Sequence, residues 1–138
     1  MSKILILGAG SIGTAFAMPC IDRHHEVKII GTHLEDDFIN DFKKNHNFHP
    51  TLNYKLKNNI NILKYNNLSN QLKIEPDLIV IAVNSKGIEW IANQLNKFKK
   101  SLNLPPILML TKGLNIYKEE YELLNKKLER ILKSKGFH

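Results

Sequence analysis

Residues 3–8, KILILG, run directly into residues 8–13, GAGSIG. No other feature constrains the fold of this chain as tightly. The continuous apolar run is the pattern of a strand buried on both faces, as in the centre of a parallel sheet. A G-x-G-x-x-G turn between such a strand and a helix places a different demand on each glycine. Gly8 allows the tight turn, Gly10 lets the backbone approach a pyrophosphate, and Gly13 lets the helix pack close to the strand. The helix N-terminus then presents free N–H groups to an anion. A glycine-rich packing turn without a ligand is the alternative, and the strand–turn–helix context favours dinucleotide binding.

The rest of the chain repeats the strand–helix alternation. Residues 12–23 form a predicted helix with an apolar face of Ile12, Ala15, Phe16 and Ile21. Pro19 is expected to kink or end it, because its missing N–H cannot bond the Ala15 carbonyl. Further strands are predicted at 26–30, 59–65, 77–83 and 105–111. A helix over 32–44 would bury Leu34, Phe38 and Phe42, with Thr32-x-x-Glu35 as its capping box. Residues 45–59 read as a long polar loop and 68–73 as a short helix. Residues 86–99 are amphipathic through Ile88, Ile91, Leu95 and Phe98, with Ser85 as the expected N-cap. A last helix is predicted over 117–135. Its acids Glu119, Glu120 and Glu122 lie in the first turn, Lys133 and Lys135 come late, and Gly136 is the expected C′ residue. Alternating strands and helices imply an α/β, doubly wound parallel sheet of about five strands with right-handed crossovers.

Ligands of such sheets bind at the carboxyl ends of the strands. Three of these ends carry unusual residues: GAGSIG, then Val83, Asn84 and Ser85, then Thr111, Lys112 and Gly113. Backbone groups near Val83 and Asn84 are expected to border the nicotinamide side. Lys112 is a cation at the end of a buried strand, and its convergence with the other two ends favours a ligand role over a surface charge. The acid usual at the end of the second strand is missing. Gly31, Thr32 and His33 stand there instead, with Thr32 and His33 facing the adenosine ribose. Without that acid a 2′-phosphate would not be repelled, so both NAD and NADP are allowed.

Composition excludes other classes. The 138 residues suffice for one domain with a core. No apolar run approaches the roughly 20 residues of a membrane helix, and no signal peptide is read, so a cytoplasmic protein without a membrane partner is expected. A single cysteine, Cys20, excludes an internal disulfide and reads as a small buried residue. The net charge of +7 raises the question of nucleic acid. Residues 1–96 carry ten Lys or Arg against nine Asp or Glu, and the remainder ten against four. The excess is scattered, mostly Lys and not interleaved with aromatics, which is the pattern of a solvated face. His46 and His49 lack a ligand set, so no metal is expected.

Four segments together resemble one family. GAGSIGTAFA at 8–17, NHNFHP at 45–50, LIVIAVNS at 78–85 and LTKGL at 110–114 are similar to the N-terminal domain of NAD(P)-dependent glycerol-3-phosphate dehydrogenase. Ketopantoate reductase shares the glycine loop but not the T-K-G-L strand end. The resemblance implies a Rossmann fold over residues 1–138 and reversible hydride transfer between NAD(P)H and dihydroxyacetone phosphate, giving sn-glycerol 3-phosphate. It allows a homodimer. Ser11, Ile12, Thr32 and His33 fall where the family contacts the cofactor, Phe48 at its loop aromatic, and Lys112 on the lysine near nicotinamide and substrate.

The chain also departs from the family pattern. Ile12 replaces an aromatic, and Thr32 replaces a common basic residue. A missing glycine before the second strand predicts a left-handed turn at His24 or His25. The family's sixth strand, Gly-Pro motif, helical substrate domain and second catalytic lysine have no counterpart here, so these residues are expected to lack turnover of their own. The alternatives are a reductase of the ketopantoate type or a stand-alone nucleotide-binding regulatory module.

Overall fold

The computed structural model describes residues 1–57, 59–99 (of Lys99 the backbone alone) and 104–133. Its elements, in order, are β1 (Lys3–Leu7), α1 (Ser11–Asp22), β2 (Glu26–Ile30), α2 (Asp36–Lys44), β3 (Phe48–His49), β4 (Tyr54–Lys55), β5 (Asn61–Leu63), a single 3₁₀ turn at Tyr65–Asn67, α3 (Leu68–Lys73), β6 (Leu78–Ile81), α4 (Gly87–Lys99), β7 (Ile107–Met109), β8 (Leu114–Tyr117), β9 (Glu120–Leu123) and α5 (Leu124–Leu132). Five strands form one parallel sheet in the order β5-β2-β1-β6-β7. This is the Rossmann-type doubly wound sheet that the alternation predicts. Among the described residues no helix is long and apolar enough to cross a membrane.

Side chains of β1 alternate between two cores because successive residues of a strand point to opposite faces. Leu5 and Leu7 pack with Ile79, Ile81, Ile88, Ile91, Leu95, Leu124 and Leu128 under α3, α4 and α5. Ile4 and Ile6 pack with Val27, Ile29, Val80, Ile39 and Phe42 under α1 and α2. Ile6, Ile29, Val80 and Ile81 have no exposed surface. Burying such a side chain stabilises the fold by about 1.5–3 kcal/mol. Both faces are covered, which is why the central strands read as continuous apolar runs rather than alternating ones.

The helix faces differ from the periodicity. In α1 the buried residues are Gly13, Thr14 and Ala17, while Ile12 and Ala15 are exposed. Close backbone contact, not side-chain bulk, seats this helix. Pro19 does not end it, since α1 continues to Asp22. Ala15 is exposed, so water can take the carbonyl that Pro19 leaves unbonded. Cys20 is half-buried rather than buried, and burial pushes its thiol pKa up. In α2 the buried pair is Ile39 and Phe42, and Leu34 lies outside the helix, 80% exposed. The α1–β2 turn places His24 at φ 62, the left-handed residue the missing glycine predicts. The loop between α2 and β5 contains an antiparallel hairpin, β3 with β4.

The last predicted helix is the largest correction. Residues 117–123 complete a hairpin of β8 and β9 that begins at Leu114, and among the described residues of the predicted helix Leu124–Leu132 are helical. Glu120 and Glu122 are therefore strand residues and Glu119 a turn residue, not first-turn helix acids. Non-local bonds hold the hairpin against α5. Arg130 grips Glu122 through two hydrogen bonds of 2.8 and 2.9 Å, and its guanidinium lies 3.7 Å from the Tyr117 ring centre. Asn115 donates to the same carboxylate at 2.8 Å. Arg130 first, helped by Asn115, keeps the Glu122 carboxyl below the usual carboxylate range against the opposing effect of burial. Lys133 closes α5 in the left-handed region at φ 47; Lys135 and Gly136 lie outside the described residues.

The two turn residues of this hairpin, Lys118 and Glu119, have φ of 51 and 67. Two positive φ values in a two-residue loop are the type I′ geometry that Asn-Gly adopts best. Combined Lys118→Asn and Glu119→Gly should stabilise the fold by about 1 kcal/mol, because a non-glycine residue in this region is strained. Urea unfolding monitored by circular dichroism measures it.

Candidate functional site

Parallel pairing brings the carboxyl ends of β1, β2, β5, β6 and β7 to one edge. The strand order reverses at β1 and β6, and the crevice outside this pair is where doubly wound sheets take ligands. The β1–α1 glycine loop and the β6–α4 turn form its two lips.

Packing accounts for two of the three loop glycines. Gly8 sits at φ +115, and a Cβ there would stand 2.7 Å from the Ala82 carbonyl oxygen. A Cβ on Gly13 would fall 2.2 Å from the Gly8 carbonyl oxygen. Gly10 is different. Its φ of −67 and ψ of −178 suit any residue, and the nearest atom to its built Cβ is a Glu35 carboxylate oxygen at 3.8 Å. Local geometry therefore needs no glycine at 10. A Cβ at 10 would make an ordinary van der Waals contact with that oxygen, and the head of this 12-residue helix has no side-chain cap, so its backbone N–H groups are of the kind an anion can approach. Thr14, fully buried, fixes the loop by donating from its hydroxyl to the Ala9 carbonyl at 3.1 Å.

Ser11 is half-buried and Ile12 is 49% exposed, both in the first turn of α1. Thr32 is half-buried beyond β2 and His33 is exposed. The His33 ring lies 4.6 Å from that of Trp90 on α4, and Trp90 lies 4.9 Å from Tyr65. This cluster draws the β2 end towards α4. Neither aromatic is a predicted site residue, although Trp90 is the chain's single tryptophan. Val83 turns its side chain into the core, and its carbonyl accepts a 2.7 Å bond from the Thr111 hydroxyl. That bond ties the ends of β6 and β7 together. Asn84 is exposed, and its Oδ1 accepts from the Gly87 amide at 2.9 Å. The side chain at the entry of α4 is thus Asn84 rather than the expected Ser85. Lys112, the residue after Thr111, is exposed, and a Cβ on Gly113 would stand 3.6 Å from Ser85.

Phe48, 39% exposed, belongs to the β3–β4 hairpin. Its neighbour His49 is 1% exposed, accepts a hydrogen bond from the Leu52 amide on Nδ1, and has no partner on Nε2 among the described residues. Burial pushes the His49 pKa below its ordinary value; the Ala9 carbonyl, its own backbone and the Glu35 carboxylate partly offset this. His49 is thus a buried residue close enough to Ala9 and Glu35 to feel both, which a polar-loop reading of 45–59 does not suggest. No group of three or more His, Cys, Asp or Glu that could hold a metal occurs among the described residues.

The predicted capping box is half formed. Glu35, not Thr32, is the N-cap of α2. The Glu35 carboxylate reaches back to the Thr32 amide at 2.6 Å, as the box requires, but the same oxygen also accepts from the Ala9 amide at 3.2 Å. The Thr32 hydroxyl accepts from Leu34 at 3.4 Å instead of capping the helix.

The model of the N-terminus of NAD-dependent glycerol-3-phosphate dehydrogenase matches residues 3–137. The chain belongs to this family. A glycerol-3-phosphate dehydrogenase [NAD(P)+] of Oceanobacillus iheyensis is 33% identical over 115 residues, 83% of this chain and 31% of that protein. The crystal structure of the Coxiella burnetii glycerol-3-phosphate dehydrogenase superposes with a TM-score of 0.71 at 24% identity, over 95% of this chain and 38% of that one. D-mandelate dehydrogenase in complex with NADH shares the fold at a TM-score of 0.60 and 19% identity, over 94% of this chain and 35% of that one. The chain thus spans about a third of the length of the proteins it matches.

Two outcomes test this geometry. Gly13→Ala should destabilise the fold by about 3 kcal/mol because the helix must move off the strand. Gly10→Ala should stay within about 0.5 kcal/mol of the unaltered chain, since its Cβ would make only an ordinary contact, 3.8 Å from the Glu35 carboxylate. Chemical denaturation of both variants measures the contrast. The second outcome concerns pH. Burial in the folded state disfavours protonated His49, while the unfolded chain takes up a proton near the ordinary value of 6.5. Its contribution is present above that value and is lost as pH falls through the lower folded pKa. Melting curves between pH 7 and 5 should fall less steeply for His49→Leu.

Proposed function

We propose that this chain is the dinucleotide-binding part of a glycerol-3-phosphate dehydrogenase, holding NAD or NADP while dihydroxyacetone phosphate and sn-glycerol 3-phosphate interconvert. The observation that carries the reading is the head of α1 at Gly10, which has no side-chain cap and whose local geometry requires no glycine, in a chain of this family. Gly10, Ser11 and Ile12 would hold the pyrophosphate, on a loop whose shape Gly8 and Gly13 set by close packing. Thr32 and His33 would border the adenosine, and Phe48, Val83 and Asn84 the nicotinamide side. The bound dinucleotide supplies or takes up a hydride. The ammonium of Lys112, near the mouth of the crevice, would favour negative charge on the carbonyl oxygen of the phosphorylated ketone as it builds up in the transition state. We assign the proton on that oxygen, and most substrate contacts, to the two thirds of the family's length that this chain does not match. These residues alone should therefore bind dinucleotide with little or no turnover.

Calorimetry with NADH and NADPH up to millimolar concentration tests the reading. Saturable heat that Gly10→Val abolishes without unfolding the chain is the expected result, and no binding of either dinucleotide would sink it. Lys112→Ala should keep the fold and most of the affinity. In a form of the protein that carries the substrate half, it should abolish turnover; near-normal turnover would make Lys112 a surface charge.

A further inference from the structure

We infer that the outer face of the β8–β9 hairpin binds a second copy of this chain, the two hairpins stacked antiparallel with Lys112 of each beside Glu119 of the other. Cross-strand pairing sets Leu114 opposite Leu123 and Ile116 opposite Tyr121, so these four side chains share one face. Leu114 is 58%, Leu123 56%, Ile116 70% and Tyr121 82% exposed. The opposite face carries Asn115 and Glu122, which bond to Lys127 and Arg130 of α5. The hairpin is therefore inverted, with its polar face on its own helix and its apolar face turned away. An antiparallel sheet covered on one side ordinarily puts its apolar face on the core. A two-stranded hairpin is marginal in water without apolar cover, and α5 does not supply it on this face.

Area and charge select the occupant. The four exposures leave roughly 500 Å² of apolar surface, near the upper end for the largest patch of a monomer. Two such faces would bury about 1,000 Å², the lower bound of a specific interface, so the dimer is reversible rather than permanent. Lys112 precedes the hairpin at its base and Glu119 stands in its turn. Both are exposed, and neither makes an ion pair among the described residues. Glu120 adds a second acid at the turn, against the single lysine Lys118. Stacked tip on tip, two copies would oppose Glu119 to Glu119 and Lys112 to Lys112. A two-fold axis lying across the strands instead sets each acidic tip on a basic base. The spacing allows it: from Asn115, near the middle of the apolar face, Lys112 lies three residues back and Glu119 four residues on. The face is thus complementary to itself, as an isologous pair requires, and each contact is made twice. An ammonium has three donors, so this pairing leaves Lys112 able to meet a ligand as well. The inference does not depend on the dinucleotide reading.

Sedimentation velocity of the unaltered chain, from about 1 to about 500 micromolar, tests it. A concentration-dependent shift from monomer to dimer is expected. Ile116→Thr with Tyr121→Thr should remove the shift while the melting curve stays cooperative, since both side chains are exposed and threonine suits a strand. Lys112→Glu alone and Glu119→Lys alone should each weaken the dimer by about tenfold, because two like-charge contacts replace two attractive ones. The two reversals combined should restore it. A chain that stays monomeric over the whole range overturns the inference and leaves the face to a different protein or to a further part of the family's length. A dimer that survives the Ile116 and Tyr121 changes also overturns it. Should that variant not fold, the charge reversals decide alone: weakening in each and recovery in the pair uphold the tip-on-base arrangement, and any other pattern overturns it.

Discussion

The fit of α1 against β1 governs this molecule. A Cβ at Gly13 would sit 2.2 Å from the Gly8 carbonyl oxygen, so backbone meets backbone with no side chain between. β1 pairs with β2 on one side and β6 on the other, and its alternate residues enter both cores. Whatever displaces α1 therefore displaces the central strand and both layers with it. The same fit leaves Gly10 half-buried at the head of α1, where a Cβ would make only an ordinary contact. Packing and ligand approach are thus served by different glycines of one six-residue motif.

The site is assembled from contacts that cross the sheet edge. Thr111 ties β7 to the Val83 carbonyl, Asn84 anchors the start of α4, and His33 leans on Trp90. Glu35 connects α2 to the glycine loop and lies close enough to buried His49 to raise its pKa against the larger effect of burial. Polar groups near the loop are thereby coupled to it. A charge removed at Glu35 acts on His49 through space and on the loop through the Ala9 amide.

Much of this was legible in the residues. KILILG before GAGSIG marks the central strand and its turn, because only a strand covered on both faces reads as unbroken apolar sequence. The parallel sheet and the shared edge of Asn84, Lys112 and the glycine loop follow from the alternation of elements. Other features were not legible. Residues 117–123 carry acids and apolar residues that suit a helix start as well as a strand. The Arg130 grip on Glu122 and the Arg130 contact with Tyr117 favour the strand, and these partners lie up to 13 residues apart in the chain. The face of α1 was misread because periodicity counts bulky side chains, whereas this helix is seated by Gly13, Thr14 and Ala17.

The sequence by itself determined the layer order, the strand–turn–helix junction and the family. These depend on local pattern and short motifs, which are properties of neighbouring residues. The tertiary structure alone decided that Glu35 bonds to the glycine loop, that buried His49 lies close enough to Ala9 and Glu35 to feel both, and that Trp90 and Tyr65 flank His33. Hydrogen-bond direction and burial belong to pairs of distant residues. Glu35 can serve the Thr32 amide within its own turn, but only the folded sheet brings the Ala9 amide to the same oxygen.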